Sequence, residues 1–338
     1  MITPRTLKAG DTVGIIATAR KVSQPEVEPA VRVFESWGLK VIKGANLYSK
    51  NNQFAGNDDE RAADLQFMLD HPDVRAIICA RGGYGTVRII DRLDFEGFMK
   101  SPKWIVGYSD ITVLHAHIHR HCGVETLHAT MPLNFPADGS ESKSVTALKN
   151  VLFGESPAYS FNAVQPMRKG QARGQVIGGN LSILVNLSGT RSQADIAGKI
   201  LFIEDVDEYL YHIDRMMLNL KRSGQLQPLS GLIIGGFTKM NDNTEPFGKT
   251  ASDIVFEHVK EYKFPVVGGF PAGHQHENMP LIFGREAIIE VGEQANLTFI
   301  NPSDPHQKPA QRLVKPALYF TGFFVLLYIL YALITGNF

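Results

Sequence analysis

A serine, an acid and a histidine stand far apart along the chain, each near a place where a strand should end. Ser109 lies in "GYSD", after the apolar run "WIV" and before a helix-like segment. A serine becomes a nucleophile when a histidine takes its proton, a carboxylate orients that histidine, and backbone amides receive the oxyanion. A strand-to-helix turn exposes the hydroxyl and aims the amide of the next residue, Asp110, into the same space. "GYSD" is not the G-x-S-x-G of common hydrolases, and serine is also a preferred helix N-cap, so both roles are open from the local sequence.

A second strand exit carries "RGGYG", Arg81 to Gly85. Gly82 and Gly83 permit close backbone approach, which a second oxyanion donor needs and which a plain tight turn also uses. The segment lacks the G-x-G-x-x-G fingerprint and a P-loop lysine, so no nucleotide cofactor is expected. In "LFIEDVDE" a strand ends on Glu204 and Asp205, which strand alternation sends to opposite faces; one of them could serve a histidine, and ordinary strand-end polarity would look the same. His115, His117, His119 and His121 follow Ser109 at alternating positions that spread them around a helix, so no metal site is expected there. His274 and His276 lie in "GGFPAGHQHENMPLIFG", a loop of the kind that presents catalytic side chains from a rigid scaffold, although a loop histidine can equally be structural. Nothing in these spacings makes the three segments meet.

The elements that must position them are legible as a pattern. From Thr12 to Tyr108 short apolar runs alternate with longer amphipathic ones, which predicts strands and crossover helices of a parallel α/β sheet. "TVGIIATA", "KVIKG", "RAIICA" and "WIVGY" read as strands. "QPEVEPAVRVFESWGL" reads as a helix closed by Gly38, and "NDDERAADLQFMLDHPDV" as one capped by Asn57, with a further helix before "WIVGY". The strand exits bearing Gly82 and Ser109 then share the carboxyl edge of one sheet, where open α/β sheets place ligands. Residues 1–134 form this N-terminal domain, 135–170 a turn-rich linker, and 171–302 a mixed α/β C-terminal domain. The latter has "KILFIED" and "LSGLIIGGF" as strands, "YHIDRMMLNLKRSG" and "TASDIVFEHVKEY" as helices, and "AIIEVGEQANLTFI" as a terminal hairpin. Residues 303–315 are a polar linker to a hydrophobic tail.

Composition narrows the function. Lys plus Arg and Asp plus Glu both total 34, and zero net charge argues against a nucleic-acid binder that neutralises phosphates. The expected partner is a small molecule or peptide. Cys79 and Cys122 show no disulfide or zinc spacing, and the N-terminus lacks the apolar h-region of a secretory signal, which suits the cytosol. The tail, residues 316–335, holds no charge in twenty residues, the length that crosses a hydrocarbon core of about 30 Å. Lys308, Arg312 and Lys315 precede it, so its N-terminal flank is expected on the cytoplasmic side.

In order, "GDTVGIIA", "DDERAADL", "ARGGYG", "VGYSD", "GGNLSILVNLSGT", "FIEDVDE", "IDRMMLNL" and "GHQHENMPLIFG" together resemble the serine LD-carboxypeptidase family, over roughly Pro4 to Phe299. The resemblance implies a Rossmann-like N-terminal domain bearing the nucleophile, a C-terminal domain supplying the acid and the histidine, and a site at their interface. It implies Ser109 as nucleophile, Glu204 as the orienting acid, His274 as base, and the amides of Asp110 and the Gly82–Gly83 turn as oxyanion donors, with no metal or cofactor. The implied activity is removal of terminal D-alanine from murein tetrapeptides in peptidoglycan recycling, and the family suggests a homodimer by analogy.

Two other readings stand beside it. Microcin C immunity carboxypeptidases, relatives that cleave an aminoacyl-nucleotide, stack the base on an aromatic residue; the two tryptophans here, Trp37 and Trp104, fall in an expected helix and strand. A non-catalytic muropeptide-binding protein would fit a degenerate triad better than an intact one. The tail departs from the family pattern and predicts a C-terminal transmembrane helix that holds the enzyme on the cytoplasmic face of the inner membrane.

Overall fold

The computed structural model describes residues 1–301. Its first sheet contains β1 (Thr12–Ile16), β2 (Lys40–Lys43), β3 (Val74–Cys79), β4 (Trp104–Gly107) and β5 (Thr126–His128), all parallel, in the order β5-β4-β3-β1-β2. β1 and β4 are buried along their whole length, as uninterrupted apolar runs require of central strands covered on both faces. The helices α1 (Gln24–Ser36) and α2 (Asp58–Asp70) begin as the sequence predicts, but α2 ends at Asp70, before His71 and Pro72, and Val74 already opens β3. Ser23 and Glu26 close a capping box on α1, Gly38 turns its end at φ 78°, and the Asn57 side chain accepts from the Glu60 amide on α2. Between β3 and β4 the expected helix is two 3₁₀ turns and the five-residue α3 (Glu96–Lys100). α4 (Thr112–His121) follows the Ser109 turn.

The stretch 135–170, expected as a linker, is built structure. α5 (Lys143–Leu152), N-capped by Ser142, buries Val145, Leu148, Val151 and Leu152. β6 (Ala158–Asn162) and β7 (Val164–Arg168) follow and enter the second sheet. Turn residues and charges dominate the sequence here, because an edge helix and edge strands bury only one face.

The second sheet adds β8 (Gly170–Asn180), α6 (Leu181–Asn186), β9 (Ile200–Val206), α7 (Leu210–Arg222), β10 (Gly231–Thr238), α8 (Ala251–Val259), β11 (Val266–Gly273), β13 (Glu286–Val291) and β14 (Gln294–Phe299). The order is β6-β14-β13-β8-β9-β10-β11-β7, with β8 to β11 parallel and the outer strands antiparallel. β13 and β14 form the expected hairpin.

One strand crosses the expected domain boundary: β12 (Leu281–Phe283) pairs antiparallel with β5 and completes the first sheet. Leu127, Phe202, Phe270 and Phe283 accordingly pack in one core cluster shared by both sheets. Each such buried side chain contributes roughly 1.5–3 kcal/mol, so the cluster holds the two carboxyl edges at a fixed mutual position. No helix among the described residues is long and apolar enough to cross a membrane. The expected membrane helix, residues 316–335, lies outside the described residues.

Candidate active site

Ser109 begins the turn after β4 with φ 64°, a left-handed conformation that costs an L-residue roughly 1–2 kcal/mol and that the surrounding packing must enforce. It does not cap: the N-cap positions of the 3₁₀ turn Ser109–Ile111 and of α4 are Tyr108 and Ile111, with no side-chain cap bond at either. The hydroxyl is therefore left for other work, and the serine is half-buried at the sheet edge.

Gly82 packs directly against it. A Cβ built on Gly82 would lie 2.8 Å from Ser109 Cβ and 3.0 Å from its Oγ, so only glycine lets the two strand exits touch. Two neighbouring groups hold this glycine loop. The buried Asp110 carboxylate accepts from the Thr86 amide at 2.8 Å, and the Arg61 guanidinium donates to the carbonyls of Thr18 at 2.7 Å and Gly85 at 2.9 Å. Arg61 comes from the "DDERAADL" helix and pairs with Asp58, so that motif reaches the site through the loop. Burial pushes the Asp110 carboxyl above its ordinary pKa, against the hydrogen bonds of the loop.

The acid and the histidine arrive from the second sheet. Glu204 lies near the end of β9 and His274 directly after β11, with β10 between them. β10 is irregular there: its register with both neighbours shifts at Gly235 and Gly236. A Cβ on Gly235 would sit 2.7 Å from the Ala272 carbonyl oxygen, and one on Gly273 2.7 Å from Glu204 Cβ. With no side chain in the way, Glu204 Oε2 accepts from His274 Nδ1 at 2.6 Å and from its backbone amide at 3.2 Å. An ionised carboxylate only accepts, so Nδ1 carries the proton and Nε2 is left as the acceptor nitrogen. The Glu204 side chain is fully buried and that of His274 is 19% exposed, so the imidazole, not the carboxylate, reaches a ligand. Burial by itself would lower the His274 pKa; the hydrogen bond and charge of Glu204 outweigh it, and the net shift is upward.

Asp205 points the other way, as alternation predicts. Its carboxylate accepts from Asn180 Nδ2 at 2.8 Å and from the amides of Ser182 and Val206, both at 2.9 Å. Burial, then the charge of Glu204, raises its pKa to about 6. The Asn180 amide in turn donates to Thr112 Oγ1 at 3.0 Å, tying the end of β8 to the first turn of α4.

The two sheets meet at Tyr108, the residue before Ser109. Its ring packs edge-on against His274 with centroids 4.9 Å apart, and its hydroxyl donates to Asn134 Oδ1 at 3.1 Å. The structure thus brings Ser109, Asp110, Gly82, Glu204 and His274 to one edge, with Gly83 following Gly82 in the turn and lying against Arg20, whereas His276 is exposed. The four histidines of α4 are structural. His115 bonds the Gly107 carbonyl, His117 Ser192, His119 Thr126, and His121 the Arg191 carbonyl, each within 2.9 Å. A cavity of about 480 Å³ lined by Arg120, His121, Arg191 and Gln225, among others, touches none of the residues at this edge. Tyr108 and the Gly235–Gly236 pair were missed by sequence reasoning; the double glycine inside an apolar strand was the available signal for the latter.

Comparison with known proteins finds relatives over most of the chain. Residues 13–129 match the LD-carboxypeptidase N-terminal domain, and residues 173–289 match the LD-carboxypeptidase C-terminal domain. The chain is 35% identical over 295 residues to the probable murein peptide carboxypeptidase of Bacillus subtilis, covering 86% of this chain and 92% of that protein. It is 29% identical over 291 residues to the murein tetrapeptide carboxypeptidase of Pseudomonas aeruginosa, covering 82% and 92% respectively. The crystal structure of muramoyltetrapeptide carboxypeptidase from Oxalobacter formigenes superposes with a TM-score of 0.77 at 29% identity, over 85% of this chain and 98% of that one.

Proposed function

Because the chain belongs to the LD-carboxypeptidase family, we propose that it is a serine carboxypeptidase that removes the terminal D-alanine from murein tetrapeptides, in peptidoglycan recycling. The observation that carries this reading is the Glu204–His274 pair, with His274 packed on Tyr108, the residue before a serine held at φ 64°. Ser109 Oγ attacks the carbonyl of the third residue, an L-configured centre, while His274 Nε2 takes its proton. Glu204 holds the imidazole in the Nδ1–H form and stabilises the imidazolium. The amides of Asp110 and of the Gly82–Gly83 turn receive the oxyanion. His274 then returns the proton to the amine of D-alanine, and water, activated by the same imidazole, releases the tripeptide from the serine ester. Every proton movement in this sequence is assigned to His274.

Mass spectrometry of products from a defined panel tests the substrate class. Tetrapeptides ending in D-alanine should lose one residue, while the all-L diastereomer and an aminoacyl-sulfamoyl nucleotide should persist. Faster cleavage of the nucleotide would favour the microcin C alternative, and tight tetrapeptide binding without cleavage would favour the non-catalytic binder. Trp37 and Trp104 speak against the nucleotide reading: both are core residues, bonded through their indole N–H to Glu141 and to the Arg5 carbonyl, not platforms open to a base.

We also propose that the uncharged tail, residues 316–335, anchors the enzyme to the inner membrane with its catalytic part on the cytoplasmic side, supported by the basic residues before the tail and the two free cysteines. The homodimer suggested by the family is tested by light scattering of the detergent-solubilised protein.

A further inference from the structure

We propose that Lys239 binds the terminal carboxylate of the substrate and so restricts the site to carboxypeptidase chemistry; this rests on the hydrolytic reading above. Chemistry fixes the side on which such a cation must stand. When a terminal residue is released, its carboxylate belongs to the leaving group and lies two bonds from the amine that His274 must protonate. The cation therefore belongs on the histidine side of Ser109, away from the oxyanion side.

Of the basic residues near the site, Arg20 and Lys239 divide on this criterion. Arg20 packs on Gly83, where a built Cβ would lie 2.6 Å from its Cγ and Cδ, and so it borders the glycine turn. Lys239 is the residue directly after β10, the strand lying between those that bear Glu204 and His274. The preceding residue, Thr238, donates its hydroxyl to the His274 carbonyl at 2.6 Å. Lys239 is thereby tied one residue away from the backbone of the base, and its charge opposes protonation of His274.

The side chain is exposed, and among the described residues no ion pair or hydrogen bond occupies its ammonium. The acid beside it is committed elsewhere: Asp207 accepts from Asn241 Nδ2 through its carboxylate at 3.0 Å. Lys239 is also held at φ 52° and Asp207 at φ 59°. With Ser109, three of the four non-glycine residues in the left-handed region among the described residues lie within two residues of the ends of strands that border the site. Such strain is kept where the surrounding structure fixes a conformation, and here it falls on the first residue beyond β10.

The test compares a murein tetrapeptide bearing a free C-terminal carboxylate with the same peptide as its C-terminal carboxamide, using the full chain and the Lys239→Met and Lys239→Arg variants. The wild type should favour the acid by about tenfold to a hundredfold in kcat/KM, the range of one charge-assisted hydrogen bond. Lys239→Met should lose that preference, chiefly through KM on the acid, with the amide little changed. Lys239→Arg should retain part of it. Retention of the full acid-to-amide ratio by a folded Lys239→Met protein overturns the inference while leaving the hydrolase reading intact. A wild type that releases neither D-alanine from the acid nor D-alaninamide from the amide overturns both.

Discussion

Glu204 and Asp205 are adjacent carboxylates with opposite fates, and the difference lies in their partners. Glu204 meets His274 at 2.6 Å, whereas Asp205 is spent on Asn180 and two backbone amides. Glu204→Gln should lower kcat by a hundredfold or more, because the neutral amide no longer stabilises the imidazolium. Asp205→Asn should cost less than tenfold in kcat and show mainly as lost stability; steady-state kinetics beside thermal melts check both, and the reverse ranking would reassign the acid. The His274 titration carries a second prediction. Its pKa is raised above the ordinary 6.5, and a general base works only when neutral, so kcat/KM should fall as pH drops through a value above 6.5. The stability sign is opposite: the Glu204–His274 interaction contributes fully below about pH 6.5 and is lost as pH rises through the raised pKa. Glu204→Gln leaves burial dominant, so the imidazole signals of His274 should then titrate at lower pH in an NMR series. Alternation in "FIEDVDE" made one acid per face readable from the sequence, but the Tyr108–His274 contact was not, because a tyrosine at a strand end looks the same whether it meets a base or solvent.

Among the elements, glycines at strand exits decide whether the site closes. Gly82→Ala would set a methyl 2.8 Å from Ser109 Cβ, and Gly273→Ala would add a methyl 2.7 Å from Glu204 Cβ at φ 104°. Each should reduce kcat by about a hundredfold, since a displacement near 1 Å in a reacting group costs that much. Circular dichroism of both variants should keep the wild-type α/β signature; wild-type turnover in either would show that the close approach is dispensable. Most strands, the end of α1 and the cap of α2 were readable, because apolar runs, Gly38 and Asn57 are local signals. The crossing of β12 into the first sheet was not, since three residues, Leu281–Phe283, carry no mark of which sheet they will join. α5 escaped for a similar reason: its charged outer face and turn-rich flanks resemble a connector until Val145, Leu148 and Leu152 find the core.

For the whole molecule, the expected arrangement is a catalytic body followed by a membrane tail. Truncation after Asn301 should give a soluble protein with wild-type kcat, while full-length protein should sediment with membranes. Full-length protein in the soluble fraction, or a catalytic body digested by protease from outside opened cells, would contradict the topology. The central claim, that Ser109 is the nucleophile of an LD-carboxypeptidase, is tested most directly by free D-alanine release from a murein tetrapeptide by the wild type and Ser109→Ala. Ser109 makes no cap bond, and serine and alanine bear φ 64° alike, so the variant should fold with stability within about 1 kcal/mol of wild type. The account predicts stoichiometric D-alanine and tripeptide from the wild type and a loss of at least about a thousandfold in the folded variant. A folded Ser109→Ala protein that turns over at the wild-type rate would contradict it.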